Sequence, residues 1–211
     1  MNKLKHANGN ELVIGEERKE MIEKAAEAYG KYLDILNFDW RNDPNSADTP
    51  FRVAKAFVNE LACGCYDETP KITSFENVDK YDGMVCQNNI RVVSMCSHHH
   101  QAFVGLAHVA YLPSKDGKII GLSKMNRVVD FFSRRPQVQE NLTSQIHNYI
   151  NDICEGNKGV AVMIECGHQC CSNRGIKHDS TMRTARMTGS FLDDADNSRE
   201  EFYKFVEFSK K

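Results

Sequence analysis

Residues 90–113 read IRVVSMCSHHHQAFVGLAHVAYLP, two short Val-rich segments on either side of a cysteine and three histidines. Short runs of β-branched and other apolar residues are typical of strands, so this stretch predicts a β-hairpin. A similar run, GVAVMIEC at 159–166, and a last segment at about 180–188 predict a second hairpin. The sequence therefore places an antiparallel sheet at the centre of the fold.

Apolar residues at three- to four-residue spacing predict helices before, between and after these hairpins. Asp48-Thr49-Pro50 opens one of them, because a capping residue and a proline suit the first helical turn. Asp116-Gly117 marks a turn. The predicted helices cover residues 15–37, 48–64, 123–134, 136–154 and 198–209. This order predicts an α+β fold, an antiparallel β-sheet with helices on one face.

The length of 211 residues predicts one domain, or one domain with an arm. The 27 basic residues against 29 acidic ones give a net charge of −2, so no basic footprint for nucleic acid is present. No run approaches 18 uncharged apolar residues, and the first thirty residues contain no apolar signal-peptide core. We therefore expect no membrane span and a cytoplasmic location, in which the eight cysteines are thiols, buried or bound to metal.

Two clusters of metal-ligating residues follow predicted strands, CSHHH at 96–100 and HQCC at 168–171. A thiolate and an imidazole three residues apart can bind one cation, and such soft ligands suit Zn²⁺ better than Mg²⁺ or Ca²⁺. Three protein ligands would leave one position for water, whose pKa falls to about 7 on zinc. Spacing leaves open which histidine binds, and which cysteine among Cys166, Cys170 and Cys171. The alternative is a polar loop with incidental histidines and buried free cysteines.

The segment GLSKMNR at 121–127 predicts the start of a helix with Ser123 as its N-cap. A helix N-terminus attracts anions, and Lys124 and Arg127 lie within the first turns of this helix. The alternative is a capped helix whose basic residues are solvated. Glu140, early in a later predicted helix, is by the same reasoning an ordinary surface charge.

At these residues the chain resembles GTP cyclohydrolase I. The resemblance runs from residue 48 to the C-terminal helix, whereas residues 1–47 match only loosely. It rests on the motifs D-T-P-x-R-V-A (48–54), C-x-H-H (96–99), F-x-G-x-x-H-V-A-Y-x-P (103–113), G-L-S-K-x-x-R (121–127), R-P-Q-V-Q-E (135–140) and H-x-C-x-x-x-R-G (168–175). Six motifs in the right order and at the right separations argue against a chance match.

The resemblance implies one zinc ion per chain, held by Cys96, His99 and Cys170, and it leaves His98 and His168 for proton transfer. It also implies the reaction. The guanine imidazole ring of GTP is opened by hydrolysis, C8 is lost as formate, and the remainder rearranges to 7,8-dihydroneopterin triphosphate. We expect His168 to be the acid toward N7, with His98 as its partner, because imidazoles with a pKa near 6.5 suit such transfers.

The resemblance also implies where GTP is bound. Three basic residues would receive the triphosphate: Lys124, Arg127 and Arg174. Ser123 would lie near the ribose. Glu140 would anchor guanine, because a carboxylate accepts hydrogen bonds from both N1–H and the N2 amino group. Gln139 joins the predicted substrate-binding residues, and Arg52 is a weaker candidate that would reach a neighbouring subunit's site.

The family's fold is the tunnelling fold, in which the antiparallel sheets of several subunits join into a barrel with helices on one face. The resemblance therefore implies a homo-oligomer, a decamer of two pentamers with active sites at subunit interfaces. It divides this chain into an N-terminal helical arm at 1–47 and a catalytic domain at 48–211. The sequence leaves open whether the product feeds folate, biopterin or deazaguanine synthesis.

Four positions depart from the family pattern. Ser97 replaces the usual glutamate between a predicted ligand and a predicted base, and His100 stands where an apolar residue is common. Asn141 replaces arginine, and Cys171 replaces Met or Val. None of these positions is a predicted ligand, so the expected activity stands.

Two rival functions are weaker. A nitrile reductase of the deazaguanine pathway, on the same fold, would need NADPH; the H-x-C pair and the lack of a dinucleotide Gly-rich loop argue against it. The other rival is a non-catalytic, guanine-nucleotide-binding regulatory subunit, inactivated by Ser97. The retained ligands and both candidate histidines argue against that function.

Overall fold

The computed structural model describes residues 11–194 and 196–209 and is α+β, as the sequence predicts. The helices are α1 (Gly15–Ile35), α2 (Thr49–Ala56), α3 (Leu122–Ser133), α4 (Gln139–Ile153), α5 (Gln169–Ser172), α6 (Ser190–Asp193) and α7 (Ser198–Phe208). The strands are β1 (Ser74–Glu76), β2 (Val85–Cys96), β3 (Ala102–Leu112), β4 (Lys118–Ile120), β5 (Pro136–Gln137), β6 (Gly159–His168) and β7 (Thr181–Met187). Within the described part of the chain, none of the helices combines the length and apolar character that crossing a membrane requires.

The chain divides into two compact units, one ending at Glu68 and the other beginning at Thr69. The first unit extends beyond the predicted arm at 1–47, because Ala54 of α2 and the following Val58 pack against Ile22 of α1. The first ten residues of that arm, and the last two of the predicted catalytic domain, lie outside the described residues. The helix predicted at 48–64 begins as α2 and continues through a π-helical turn at 57–61 and a 3₁₀ turn at 63–65.

The second unit is built on a five-stranded sheet with the order β5-β2-β3-β6-β7. The pairs β2–β3, β3–β6 and β6–β7 are antiparallel, which confirms both predicted strand pairs. The helix predicted from Pro136 begins later, at Gln139, because Pro136 and Gln137 are extended and pair in parallel with the end of β2. The buried Gln137 side chain holds this position by donating to the carbonyl of Phe132. β1 and β4 form a separate two-stranded sheet.

Helices cover both faces of the five-stranded sheet. α3 and α4 pack on one face, where Val128 and Ile146 join Val109 and Val162 in the main core. The sequence predicts a sheet with helices on one face, and the structure adds helices on the other. α6 and α7 pack on the opposite face, against side chains that include Met163. The two faces separate because successive side chains of a strand point in opposite directions. The sequence pattern shows that α7 is amphipathic, but not which face it covers.

A close approach of β3 to β6 explains the glycine of the F-x-G motif. A Cβ atom at Gly105 would lie 1.9 Å from the carbonyl oxygen of Glu165 and 2.8 Å from Sγ of Cys166. Any side chain at this position would therefore force the two strands apart. Their register places Phe103 opposite His168, so the glycine keeps the second Cys/His cluster tight against β3.

Candidate metal centre and active site

The ends of β2 and β6 bring two thiols and one imidazole together. Cys96 is the last residue of β2, His99 lies in the turn that follows, and Cys170 lies in α5, directly after β6. The ligand atoms of the three side chains all lie within 4.8 Å of one another, so this group could hold a metal ion. These are the three residues that the resemblance implies as ligands.

Backbone hydrogen bonds shape the turn that carries the three histidines. The Cys96 amide donates to the carbonyl of Gln101 at 2.8 Å, and the His100 amide donates to the carbonyl of Cys96 at 2.9 Å. His100 has a φ of +51°, a left-handed conformation that reverses the chain. The Ser97 amide donates to the carbonyl of Gln137 at 3.2 Å and so ties the turn to β5.

His98 lies beside the metal group without belonging to it. Its Nδ1 is 3.6 Å from Sγ of Cys96, and its ring centroid is 6.3 Å from that of His99. Both histidines are exposed. His98 therefore occupies a position from which a proton can pass between solvent and the space next to the ligands.

The donor set fits a soft divalent cation. Burial, together with the neighbouring Cys96 and Cys171 thiols, raises the pKa of the Cys170 thiol to about 11. A bound cation reverses this shift, because the thiolate is the form that coordinates a metal. The thiol of Cys166 points into the main core, where burial raises its pKa to about 12. Cys166 is therefore a core residue rather than a ligand.

His168, the last residue of β6, is held from two sides. Its ring stacks on that of Phe103, with centroids 4.8 Å apart and planes inclined by 9°. Its Nε2 lies 2.8 Å from Oε1 of Gln139. Burial lowers the pKa of His168, and the carboxylate of Glu140 opposes this shift. The neutral imidazole is thus the favoured form near neutral pH.

A cleft of about 440 Å³ opens beside His168, and Val104, Gln169 and residues 179–181 line it. This volume lies in the range of small-molecule sites. Glu140 is exposed at the start of α4 and borders a neighbouring groove with Ser144 and Arg186. The adjacent Gln139 is buried, with 1% of its surface exposed.

The predicted triphosphate residues separate into two places. Arg174 lies at the metal group, where its Nη1 is 3.0 Å from Nε2 of His99. Ser123, Lys124 and Arg127 lie at the start of α3. Gly121 is the N-cap of this helix, without a side-chain cap, so the prediction that Ser123 caps it is wrong; a glycine in extended conformation precedes the first turn instead.

The start of α3 is remote from the metal group of the same chain. Asn126, in the second turn of α3, accepts a hydrogen bond from Gln87 at the beginning of β2. Arg135, just after the end of α3, accepts one from Ser94 near the end of β2. The helix therefore runs alongside the strand. Gln87 and Cys96 are nine residue steps apart along β2, about 25–30 Å at about 3.3 Å per residue.

Comparison of the sequence with known proteins identifies the family of this chain. The sequence profile described as GTP cyclohydrolase I matches residues 25–207. This chain belongs to the GTP cyclohydrolase I family. The protein named GTP cyclohydrolase 1 of Aeromonas salmonicida (strain A449) is 41% identical over 189 residues, which cover 89% of this chain and 84% of the relative. That of Erwinia tasmaniensis is 44% identical over 175 residues, 82% of this chain and 77% of the relative.

A third relative named GTP cyclohydrolase 1, from Wigglesworthia glossinidia brevipalpis, is 41% identical over 192 residues, 90% of this chain and 87% of the relative. Among solved structures, an archaeosine synthase QueF-like protein in the apo form covers 50% of this chain and 95% of its own, with a TM-score of 0.38 and 16% identity. That structural likeness is too weak to support a conclusion. Family membership rests on the sequence.

The sequence motifs do not predict two contacts at this candidate site. The stacking of Phe103 on His168 could have been suspected from the F-x-G motif, whose aromatic residue begins a strand next to the histidine cluster. The hydrogen bond from His168 to Gln139 has no local signal, because 28 residues lie between the two in the chain. The packing of α4 against β6 brings Gln139 and His168 together.

Proposed function

We propose that this protein is a zinc-dependent GTP cyclohydrolase I. It converts GTP and water to 7,8-dihydroneopterin triphosphate and formate, by opening the guanine imidazole ring at C8. The observation that carries the proposal is the Cys96–His99–Cys170 group, whose ligand atoms lie within 4.8 Å of one another in a chain of this family. The names of the relatives supply the substrate and the reaction.

Zinc is the proposed metal, one ion per chain, because two thiolates and an imidazole are ligands that it prefers. Cys96, His99 and Cys170 would hold it. When bound, zinc supplies Lewis-acid activation of water at neutral pH. Three protein ligands leave a coordination position free for this chemistry, whereas a structural zinc site normally uses four.

Proton transfer falls to the two histidines that flank the ligands. His168 is held against Phe103 and, through Nε2, Gln139. Its Nδ1 takes up the proton that the attacking water releases and gives that proton to N7 as the bond from C8 breaks. His98, exposed beside Cys96, exchanges protons with solvent and restores the site for the next turnover. Both functions suit imidazoles, which change protonation state near neutral pH.

Substrate binding divides between the base and the triphosphate. Glu140, exposed beside His168, accepts hydrogen bonds from N1–H and the N2 amino group of guanine. Arg174 at the metal group, and Lys124 and Arg127 at the start of α3, bind phosphate oxygens, with Ser123 near the ribose. The separation of α3 from the metal group along β2 supports a site in which one GTP contacts two chains. We therefore propose a homo-oligomer, a decamer of two pentamers, with sites between subunits.

A formate-release assay on the purified protein tests this function. We expect stoichiometric formate and a fluorescent pterin, after oxidation, from GTP in the presence of zinc, and neither after chelation. Elemental analysis should give about one zinc per chain. Binding of GTP without formate release would instead favour the regulatory subunit that lacks activity because of Ser97. A cytoplasmic location stays a prediction from the sequence.

A further inference from the structure

The side chain of Gln139 is a buried amide with every contact inside the protein. It belongs to the first residue of α4 and is 1% exposed. Its Nε2 lies 3.1 Å from three acceptors, the carbonyl oxygens of Ile164 and Met182 and Oγ1 of Thr184. Its Oε1 lies 2.8 Å from Nε2 of His168. The amide therefore bridges β6, β7 and His168.

These partners fix the orientation of the amide by chemistry alone. Backbone carbonyl oxygens can only accept hydrogen bonds, so the two N–H groups of Gln139 must face Ile164 and Met182. The amide oxygen is then the atom that faces His168, and an oxygen can only accept. Nε2 of His168 must therefore carry a hydrogen.

The consequence for His168 is a defined tautomer. When Nε2 donates to Gln139, the neutral ring has its lone pair on Nδ1, so Nδ1 is the ring nitrogen that can face a ligand. The stack on Phe103 sets the plane of the ring, and the hydrogen bond to Gln139 selects one of its two flips within that plane. The stack and the hydrogen bond together fix the position of Nδ1 of His168.

We propose that Gln139 is a positioning residue for His168 and does not contact the substrate, an inference that rests on the function proposed above. Both amide hydrogens are committed to β6 and β7, so no donor is left for a guanine. Its exposure of 1% also leaves no surface for a ligand to touch. Glu140, the next residue, is exposed and keeps the substrate contact.

Gln139→Met tests the inference, because methionine has nearly the same length and shape and makes none of these hydrogen bonds. We expect kcat for formate release to fall about 10- to 100-fold, part of the usual contribution of a general acid or base, while KM for GTP stays within about twofold. His147→Gln is the matched control. It changes another buried polar side chain of α4, one whose Nε2 lies 3.1 Å from Oγ1 of Thr188 and which shares none of these partners with Gln139. Its kcat should stay within about twofold of wild type.

A double-mutant cycle separates positioning from general damage. In a His168→Ala background, Gln139→Met should cause no further loss of kcat, because its effect passes through the imidazole. A loss that multiplies in the double variant would overturn the inference, as would a raised KM with unchanged kcat. A wild-type protein that releases no formate would instead refute the proposed function itself.

A crystal structure covers the case in which Gln139→Met does not fold. In the complex of His168→Ala with GTP, the amide of Gln139 should still donate to Ile164 and Met182 and should stay out of contact with the base. A hydrogen bond between this amide and guanine would overturn the inference. In the free wild-type protein, the hydrogen bond between His168 and Gln139 should be present at about 2.8 Å.

Discussion

The two ends of β2 differ in the functional groups that lie beside them. At the end marked by Cys96, residues from one strand, a turn and a short helix meet in one metal group, and His98, His168 and Arg174 lie around it. At the other end, the start of α3 offers Lys124 and Arg127 and no metal group among the described residues. Under the proposed function, a single chain would supply the reacting centre but only half of each nucleotide site. Substitutions at the two ends should therefore behave differently.

The largest effect is expected at the metal end. Cys170→Ser should remove the metal and essentially all formate release, because serine does not replace a thiolate ligand to zinc. Cys171→Ser is the matched control one residue away, and it should keep both the metal and the activity. Elemental analysis and the formate assay on both variants decide the matter. The reverse pattern would show that Cys171 is the ligand and that the metal end is assembled differently.

The next largest effect concerns proton transfer at the same end. His168→Ala and His98→Ala should each keep the metal and lose about 10²-fold or more in kcat, the size of a general acid–base contribution. Full activity in His168→Ala would remove this residue from the mechanism. His98→Ala needs a companion variant, because His100, two residues along the turn, can supply a substitute imidazole. The double variant His98→Ala/His100→Ala separates the two outcomes.

The metal end was also the more predictable of the two from sequence. Val-rich strands, and thiols and imidazoles at metal-binding spacing, are local patterns, and they identify the strands and the family that fixes the ligands. The failures need tertiary information. Gly121, not Ser123, precedes α3, and Pro136 begins a short strand because β2 offers it a partner. Nothing in R-P-Q-V-Q-E shows that the amide of Gln139 is buried between β6 and β7, and the predicted substrate contact of this residue stays a prediction.

A third prediction tests whether the basic end serves a second chain. Lys124→Ala should reduce kcat/KM for GTP roughly 10- to 150-fold, the loss of one or two charge-assisted hydrogen bonds to phosphate. The loss should shrink for guanosine substrates with fewer phosphates. Lys118→Ala is the control, since this nearby lysine pairs with Glu155. An equal loss for all guanosine substrates would place Lys124 away from the triphosphate.

Mixed oligomers sharpen this prediction. When Lys124→Ala and His168→Ala chains are denatured together and reassembled, about a quarter of the sites should combine an intact Lys124 with an intact His168, if assembly is random. Activity should rise accordingly above that of either variant alone. No recovery, in oligomers shown to contain both chains, would mean that each site takes both residues from one chain, against the separation along β2.

The smallest effect is expected at Glu140, the residue proposed to bind guanine near the metal group. If the carboxylate accepts from N1–H and the N2 amino group, Glu140→Gln sets a donor against a donor, which costs on the order of 1–3 kcal/mol, roughly 5- to 150-fold in kcat/KM. Glu155→Gln, just past the other end of α4, is the surface control and should change little. ITP lacks the N2 amino group, so wild type should strongly prefer GTP over ITP, and Glu140→Gln should narrow that preference. If the ratio of kcat/KM for GTP to kcat/KM for ITP is the same in Glu140→Gln as in wild type, a group other than Glu140 recognises the N2 amino group of guanine.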